Sequence, residues 1–255
     1  MDFECIIYEK DEGIATIRLN RPHVLNAMNK QLWLDFRNAL HDGRDDPEIR
    51  VLIITGEGRA FSTGADLKDS KGRTIEQYRD YLVHLQEISR ELIRLEKPTI
   101  AAVNGYALGS GYELALACDI RIAAESAKFG SPEARVSSSV TGGAMRLLQD
   151  VVGPGKAKEL LFTAEYIDGK EAKRIGLVNQ TVPDDGLMAT AKEMAKTIAQ
   201  NSAFSIKMIK KGLNMAREVS LEALMEYEIE ACLATVSTAE RQEKLEQFAG
   251  RKKEN

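Results

Sequence analysis

Two glutamates stand where a side chain could do acid–base chemistry. Glu113 opens an otherwise apolar segment that ends at Cys118, so part of its surroundings must be buried. Glu133 follows a rigid turn at Pro132. Paired carboxylates can act as general acid and general base. Each residue also has an ordinary explanation, since the dipole of a helix favours a glutamate in its first turn and a glutamate after a turn is often solvated or a cap.

Two glycine-punctuated loops follow apolar strands and could supply backbone donors beside these carboxylates. In residues 58–67, Gly64 would let the chain turn sharply and expose the N–H of Ala65, although the stretch by itself is only a tight loop. Residues 104–113 run directly into a helix, whose free N–H groups favour negative charge. One donor from each loop would suit the oxyanion of a thioester enolate. Neither loop has the spacing of a P-loop or of a G-x-G-x-x-G motif, which disfavours nucleotide binding of those two kinds.

Alternating apolar strands, glycine loops and amphipathic helices must position these groups. The predicted strands are residues 3–10, 14–19, 51–55, 99–103, 119–123 and 177–182, and the predicted helices of the first half are residues 29–42, 74–96 and 113–118. Such alternation indicates an α/β core with parallel pairing, whose functional groups lie on the loops after the strands. Beyond residue 142 the pattern is almost wholly helical, with breaks at 153–155 and 168–169. The last seventy residues predict three or four helices that must pack on the core or on another subunit.

Composition places the chain among reduced, soluble proteins. The 255 residues are 44% hydrophobic and 29% charged, with a formal net charge of −4, which argues against a nucleic-acid surface spread over the whole protein. The three cysteines form no CxxC pair and the three histidines no ligand cluster, so we expect buried thiols and no metal. The N-terminus has no signal-peptide pattern, and no apolar run approaches the roughly 18 residues of a membrane helix. We therefore expect a cytoplasmic protein without membrane or nucleic-acid partners.

In their order and spacing these motifs resemble the crotonase (enoyl-CoA hydratase/isomerase) superfamily, from about Ile17 to the C-terminus. The matching segments are residues 19–22 with 25–27, 60–67, 97–98, 104–109, 118–119, 129–130 with 132–133, and 176–179. Hydratases of this superfamily carry two glutamates twenty positions apart, as Glu113 and Glu133 are. The resemblance implies an α/β fold, with a crotonase-like ββα spiral core over residues 1–195. It also implies a C-terminal α-helical trimerisation region over residues 196–255.

The resemblance also assigns site residues. It implies an oxyanion hole formed by the N–H groups of Ala65 and Ser110, where most members have glycine in place of Ser110. It places Val24, Leu25 and Thr63 at the adenine end of coenzyme A. The further residues that it assigns to substrate binding are Asp66, Leu67, Lys68, Gly109 and Phe248. Phe248 and the basic residues after it would approach coenzyme A across a subunit boundary, and a frayed basic tail is the alternative.

The implied reaction is the addition of water to a 2-enoyl-CoA, or its reverse, in a homotrimer or a dimer of trimers. The two glutamates would share one water, and repulsion between them would raise one pKa. The coenzyme A thioester is the substrate, and neither a metal nor a redox cofactor is needed. Alternatives are double-bond isomerisation, ring cleavage of a cyclic keto acyl-CoA, and a non-catalytic or RNA-binding role. Retention of both glutamates favours hydration.

The sequence departs from the superfamily just after Glu133. Hydratases usually continue through a glycine and a proline to a Gly-Gly helix start, whereas residues 134–143 are one residue shorter, contain three serines and have no proline. A loop bordering the acyl group with this composition indicates a polar or bulkier acyl moiety, or simply a solvated loop. His23 stands where members often have lysine, which puts a phosphate contact there in doubt.

Overall fold

The computed structural model describes residues 2–238 together with residues 241, 242 and 245. The chain divides into two compact units, residues 1–198 and residues 199–255. The strands are β1 (Ile6–Asp11), β2 (Ile14–Leu19), β3 (Val51–Gly56), β4 (Ala60–Ser62), β5 (Thr99–Val103), β6 (Tyr106–Leu108), β7 (Ile120–Ala124), β8 (Lys128–Gly130), β9 (Ile167–Asp168) and β10 (Gln180–Val182). The helices are α1 (Lys30–Asp45), α2 (Leu67–Ser70), α3 (Ile75–Arg94), α4 (Ser110–Ala117), α5 (Ala144–Val152), α6 (Pro154–Thr163), α7 (Gly169–Arg174), α8 (Leu187–Ala199), α9 (Ala203–Met215) and α10 (Leu221–Val236).

A six-stranded sheet in the order β1-β2-β3-β5-β7-β10 forms the centre of the first unit. β1 and β2 form the predicted antiparallel hairpin, and every later pairing is parallel. All six residues of β3 are buried, as a parallel strand covered on both faces requires. The predicted parallel α/β core is therefore confirmed. The strand predicted over residues 177–182 is shorter and begins at Gln180, because Leu177 N–H instead closes α7 on Ala172 O at 2.8 Å.

A second, four-stranded sheet in the order β4-β6-β8-β9 was not predicted. β3, β5 and β7 of the first sheet are each followed within a few residues by a three-residue strand of the second, namely β4, β6 and β8. The link between β5 and β6 needs glycine, because a Cβ on Gly105 would overlap the carbonyl of Arg59. The repeated unit is thus two strands in different sheets followed by helix.

Helix boundaries follow local signals in the sequence. Asn29 caps α1 by accepting Leu32 N–H at 3.0 Å, as predicted. Thr74 and Gln77 form a capping box at the start of α3. α4 begins at Ser110, three residues before the predicted start, and nearly all of it is buried. The largest fully buried side chains include Phe36, Phe61 and Phe129, which lie in the core of this unit.

The second unit is helical over its described residues. α9 and α10 pack together, and Tyr227 Oη–H donates to Met208 O at 2.8 Å. Several large apolar side chains on these helices are exposed, namely Ile209, Leu213, Leu221, Met225, Ile229 and Leu233. Within the part of the chain that the structure describes, no helix is long and apolar enough to cross a membrane.

Candidate active site

Glu113 is a buried carboxylate in the first turn of α4, with 4% of its surface exposed. Thr141 approaches it from the loop before α5. The Thr141 N–H donates to Glu113 Oε1 at 2.5 Å, and its hydroxyl donates to Oε2 at 2.8 Å. Burial raises the pKa of Glu113, and the hydrogen bonds from Thr141 and from the Ser110 side chain offset part of that rise. The carboxylate is therefore desolvated but has hydrogen-bond partners on both oxygens.

Glu133 lies in a short 3-10 helix, Pro132–Val136, that follows β8. Its Oε1 lies 3.0 Å from the position that a Cβ on Gly109 would take, so the carboxylate points at the start of α4. Its Oε2 is buried and has no hydrogen-bond partner among the described residues. Burial raises the pKa of Glu133, and the nearby charge of Glu113 raises it further. The two predicted glutamates thus lie near enough for the charge of Glu113 to act on Glu133, and their environments differ.

The loop before α2 and the start of α4 bring two backbone donors to the same place. Met28 N–H donates to Gly64 O at 2.8 Å and Asp66 N–H to Met28 O at 3.1 Å, a parallel bridge that does not use the N–H of Ala65. Gly64 has φ +91, and a Cβ there would lie 2.9 Å from Ser110 N. Ser110 is the first residue of α4, where the N–H has no partner within the helix. The N–H groups of Ala65 and Ser110 therefore lie on adjoining loops beside Glu113 and Glu133.

The residues assigned to coenzyme A lie mainly along two adjacent segments. Thr63 N–H donates to Leu25 O at 3.1 Å, so Leu25 borders Thr63, and Val24 directly precedes Leu25 in the chain. Asp66 caps α2 and forms an ion pair with Arg21 at 3.0 Å. Both interactions of its carboxylate are therefore with the protein itself. The remaining assigned residues of this region, Leu67 and Lys68, are exposed on α2. Phe248 and the basic tail lie outside the described residues.

Some residues that shape the site were not singled out from the sequence. Arg21 donates to Ala27 O at 2.5 Å as well as to Asp66, which ties the two segments together. Asn26 is fully buried and donates to Ala60 O at 2.7 Å. Both lie in matching motifs at residues 19–22 and 25–27, and that is the signal that could have found them. Thr141 lies in the loop that departs from the superfamily, where no motif marks it.

Within residues 2–238 and the three further described residues, no group of three or more His, Cys, Asp or Glu side chains is arranged to hold a metal ion. The site consists instead of two carboxylates, backbone N–H groups and hydroxyls. Such an arrangement can stabilise an oxyanion and move protons between a bound water and a carbon atom.

Several known proteins with the same fold and related sequences are named as enoyl-CoA hydratases. The family model for enoyl-CoA hydratase/isomerase matches residues 9–255. The crotonyl-CoA hydratase of Syntrophomonas wolfei is 38% identical over all of this chain and 98% of its own length. The short-chain-enoyl-CoA hydratase of Clostridium acetobutylicum is 37% identical over 99% of this chain and 97% of its own. The crystal structure of an enoyl-CoA hydratase from Bacillus anthracis superimposes with a TM-score of 0.94 at 35% identity, covering 97% of each chain.

Proposed function

The chain belongs to the enoyl-CoA hydratase/isomerase family, and from that premise we propose that it adds water across the double bond of a 2-enoyl-CoA, or removes it in reverse. The protein is a hydro-lyase of acyl-CoA metabolism with the crotonase fold. The observation that carries the catalytic part of the proposal is the placement of Glu113 and Glu133 near one another at the start of α4, where the N–H groups of Ala65 and Ser110 also lie.

The oxyanion hole is the first part of the mechanism. With the thioester oxygen between the N–H groups of Ala65 and Ser110, electrons are drawn from the conjugated double bond and the β-carbon becomes electrophilic. Addition of water then places negative charge on this oxygen as an enolate. The two donors stabilise that charge without reorganising, and loss of one such donor commonly costs about 100-fold or more in rate.

The two carboxylates handle the water. Glu113 accepts hydrogen bonds on both oxygens, which favour its ionised form, whereas Glu133 Oε2 has no partner among the described residues. The charge of Glu113 also favours protonation of Glu133. In the proposed reaction Glu113 accepts a proton from the water as its oxygen attacks the β-carbon. Glu133 supplies the proton that the α-carbon of the enolate takes up.

We propose a short-chain enoyl-CoA as the substrate, because two relatives with matching full-length sequences carry crotonyl-CoA and short-chain enoyl-CoA in their names. The adenine end of the substrate would lie along Val24, Leu25 and Thr63, and the pantetheine near residues 66–68. The proposed reaction needs no cofactor beyond the coenzyme A thioester itself.

We propose that the protein assembles as a homotrimer or a dimer of trimers through the apolar face of its second unit. The exposed apolar side chains of α9 and α10 support it, since such a face is rarely left in water. Light scattering after size-exclusion chromatography measures the mass directly. A cytoplasmic location is also proposed. Cys5, Cys118 and Cys232 form no disulfide, which fits a reducing compartment; Cys5 and Cys118 are buried as expected, whereas Cys232 is exposed.

Loss of the conjugated-thioester absorbance of crotonyl-CoA tests the proposed function. We expect Glu113→Gln and Glu133→Gln each to lower kcat by about 100-fold or more, the range of general acid–base catalysis. Glu125→Gln is the matched control, because Glu125 is an exposed glutamate paired with Lys170 at 3.5 Å. Full activity in both site variants would contradict the paired-carboxylate mechanism. A wild type that consumes no enoyl-CoA and binds RNA in a salt-sensitive way would contradict the proposed function itself.

A further inference from the structure

The Ser-rich loop after Glu133 contributes one residue, Thr141, to the buried site. The side chains of residues 134–139 are exposed, whereas Thr141 reaches Glu113 with both its N–H and its hydroxyl. The two donors bind different oxygens of the same carboxylate. A carboxylate held on both oxygens cannot rotate about its last bond without losing a hydrogen bond. The loop therefore fixes the orientation of Glu113 as well as covering it.

The segment that carries Thr141 is itself held closely. A Cβ on Gly142 would lie 3.0 Å from Ser89 Oγ of α3 and 3.2 Å from Glu113 Cβ of α4. The backbone after Thr141 thus fits tightly between these two helices, and a side chain at position 142 would crowd both. Because Gly142 is confined in this way, the hydroxyl of Thr141 is held at Glu113 by packing as well as by its hydrogen bond.

The side chains that neighbouring elements place around Glu113 are mainly neutral. α4 packs against α3, α5, β4 and β6. From α3 the site receives the neutral hydroxyl of Ser89, and from the segment entering α5 it receives Thr141 and Gly142. Ser110 on α4 itself contributes a neutral side chain. The other titratable group of the site is Glu133, whose pKa the charge of Glu113 raises.

We propose that Thr141 is a positioning residue of the hydratase, whose hydroxyl holds the Glu113 carboxylate ionised and oriented toward the attacking water. This inference rests on the proposed function. Any residue except proline would supply the N–H at position 141, but only threonine or serine supplies a hydroxyl of this reach. The hydroxyl is therefore the specific contribution of this loop, and it can be removed while the backbone hydrogen bond is kept.

Thr141→Val removes the hydroxyl at nearly constant shape, whereas Thr141→Ser retains a hydroxyl. Loss of a hydrogen bond to a charged group changes an equilibrium about tenfold, so we expect kcat to fall about 10-fold in Thr141→Val. The hydroxyl favours the ionised carboxylate, so its loss moves the acidic limb of the kcat profile to higher pH by about one unit. KM for crotonyl-CoA should change less than about threefold, because the hydroxyl is bonded to Glu113 and not to the oxyanion donors. Thr141→Ser should recover the wild-type limb.

Ser139→Ala is the matched control, since it removes an exposed hydroxyl from the same loop. Circular dichroism and thermal melting establish that each variant is folded. In the Glu113→Gln background, Thr141→Val should have no further effect on kcat. A wild-type acidic limb in Thr141→Val, an equal shift in Ser139→Ala, or additive effects in the double variant would each overturn the proposal.

A readout without substrate separates this inference from the proposed function. Carboxyl carbon-13 NMR of glutamate-labelled protein gives the titration of Glu113, whose signal is the one missing in Glu113→Gln. We expect Thr141→Val to raise the pKa of Glu113 and Thr141→Ser to leave it near the wild-type value. An unchanged Glu113 titration in Thr141→Val would overturn the inference even in an active hydratase. A raised pKa in a protein without hydratase activity would instead contradict the proposed function alone.

Discussion

Gly64 offers a test of the oxyanion hole that leaves both glutamates in place. Its φ of +91 lies in the region that disfavours any residue with a Cβ. A Cβ in Gly64→Ala would also lie 2.8 Å from Leu108 O and 2.9 Å from Ser110 N, both backbone atoms. The substitution therefore strains the loop that carries the Ala65 N–H and pushes it away from the start of α4.

The size of the effect follows from these distances. Since non-bonded contacts to carbon are normally about 3.5 Å, the two loops must separate by roughly half an ångström. Oxyanion donors act at about 2.7–3.1 Å, and a misplacement of about 1 Å can cost about 100-fold in rate. We therefore expect kcat with crotonyl-CoA to fall about 10-fold or more. The positive φ should in addition lower the free energy of unfolding by roughly 1–2 kcal/mol.

Gly72→Ala separates the two effects. Gly72 has φ +83, but nothing lies within 4 Å of the position of its Cβ. Its variant should lose a similar amount of stability and keep kcat within about twofold of wild type, because no donor is displaced. Steady-state hydration kinetics and thermal melting on both variants provide the comparison. Wild-type kcat in Gly64→Ala, or an equal loss in Gly72→Ala, would refute the assignment of this loop to the oxyanion hole.

Three further expectations concern stability. Burial raises the pKa of Glu133 in the folded state above 4.5, so the wild type should lose stability as pH rises through that pKa. Glu133→Gln should therefore be more stable than the wild type at pH 8 and equal to it at pH 4. Urea unfolding at the two pH values measures the difference. Arg21→Met leaves Asp66 without its ion-pair partner and should lower the free energy of unfolding by about 2 kcal/mol, the usual loss for a hydrogen bond to a charged group, together with kcat. Thr74→Ala removes the capping box of α3 and should cost about 1 kcal/mol, with kcat unchanged.

Each of these expectations has an outcome that would contradict it. Equal stability of Glu133→Gln and wild type at pH 8 would mean that burial imposes no cost on the Glu133 charge. Full stability of Arg21→Met would mean that the ion pair between Arg21 and Asp66 does not stabilise the loop. Arg44→Met, which breaks an exposed ion pair, is the control. A loss of activity in Thr74→Ala would show that the start of α3 contributes to the site.

Much of the fold could be predicted from local signals. The buried strand β3 follows from an unbroken apolar run, and α1 from helical spacing after the cap at Asn29. The sheet of β4, β6 and β8 could not be predicted in this way. Each of these strands has three residues, and short strands are stabilised by pairing with segments far along the chain rather than by their own periodicity.

The sequence by itself determined which chemical groups the protein has and in what order. The spacing of Glu113 and Glu133 and the two glycine loops ahead of them, taken with the resemblance to the crotonase superfamily, predicted a paired-carboxylate site of the hydratase type. Tertiary structure decided which of these groups touch. Thr141 donates a hydrogen bond to Glu113, which lies 28 positions earlier in the sequence. Glu133 Oε2 has no hydrogen-bond partner among the described residues. Burial and hydrogen bonding depend on such non-local contacts, so the difference between the two carboxylates appears only in the folded chain.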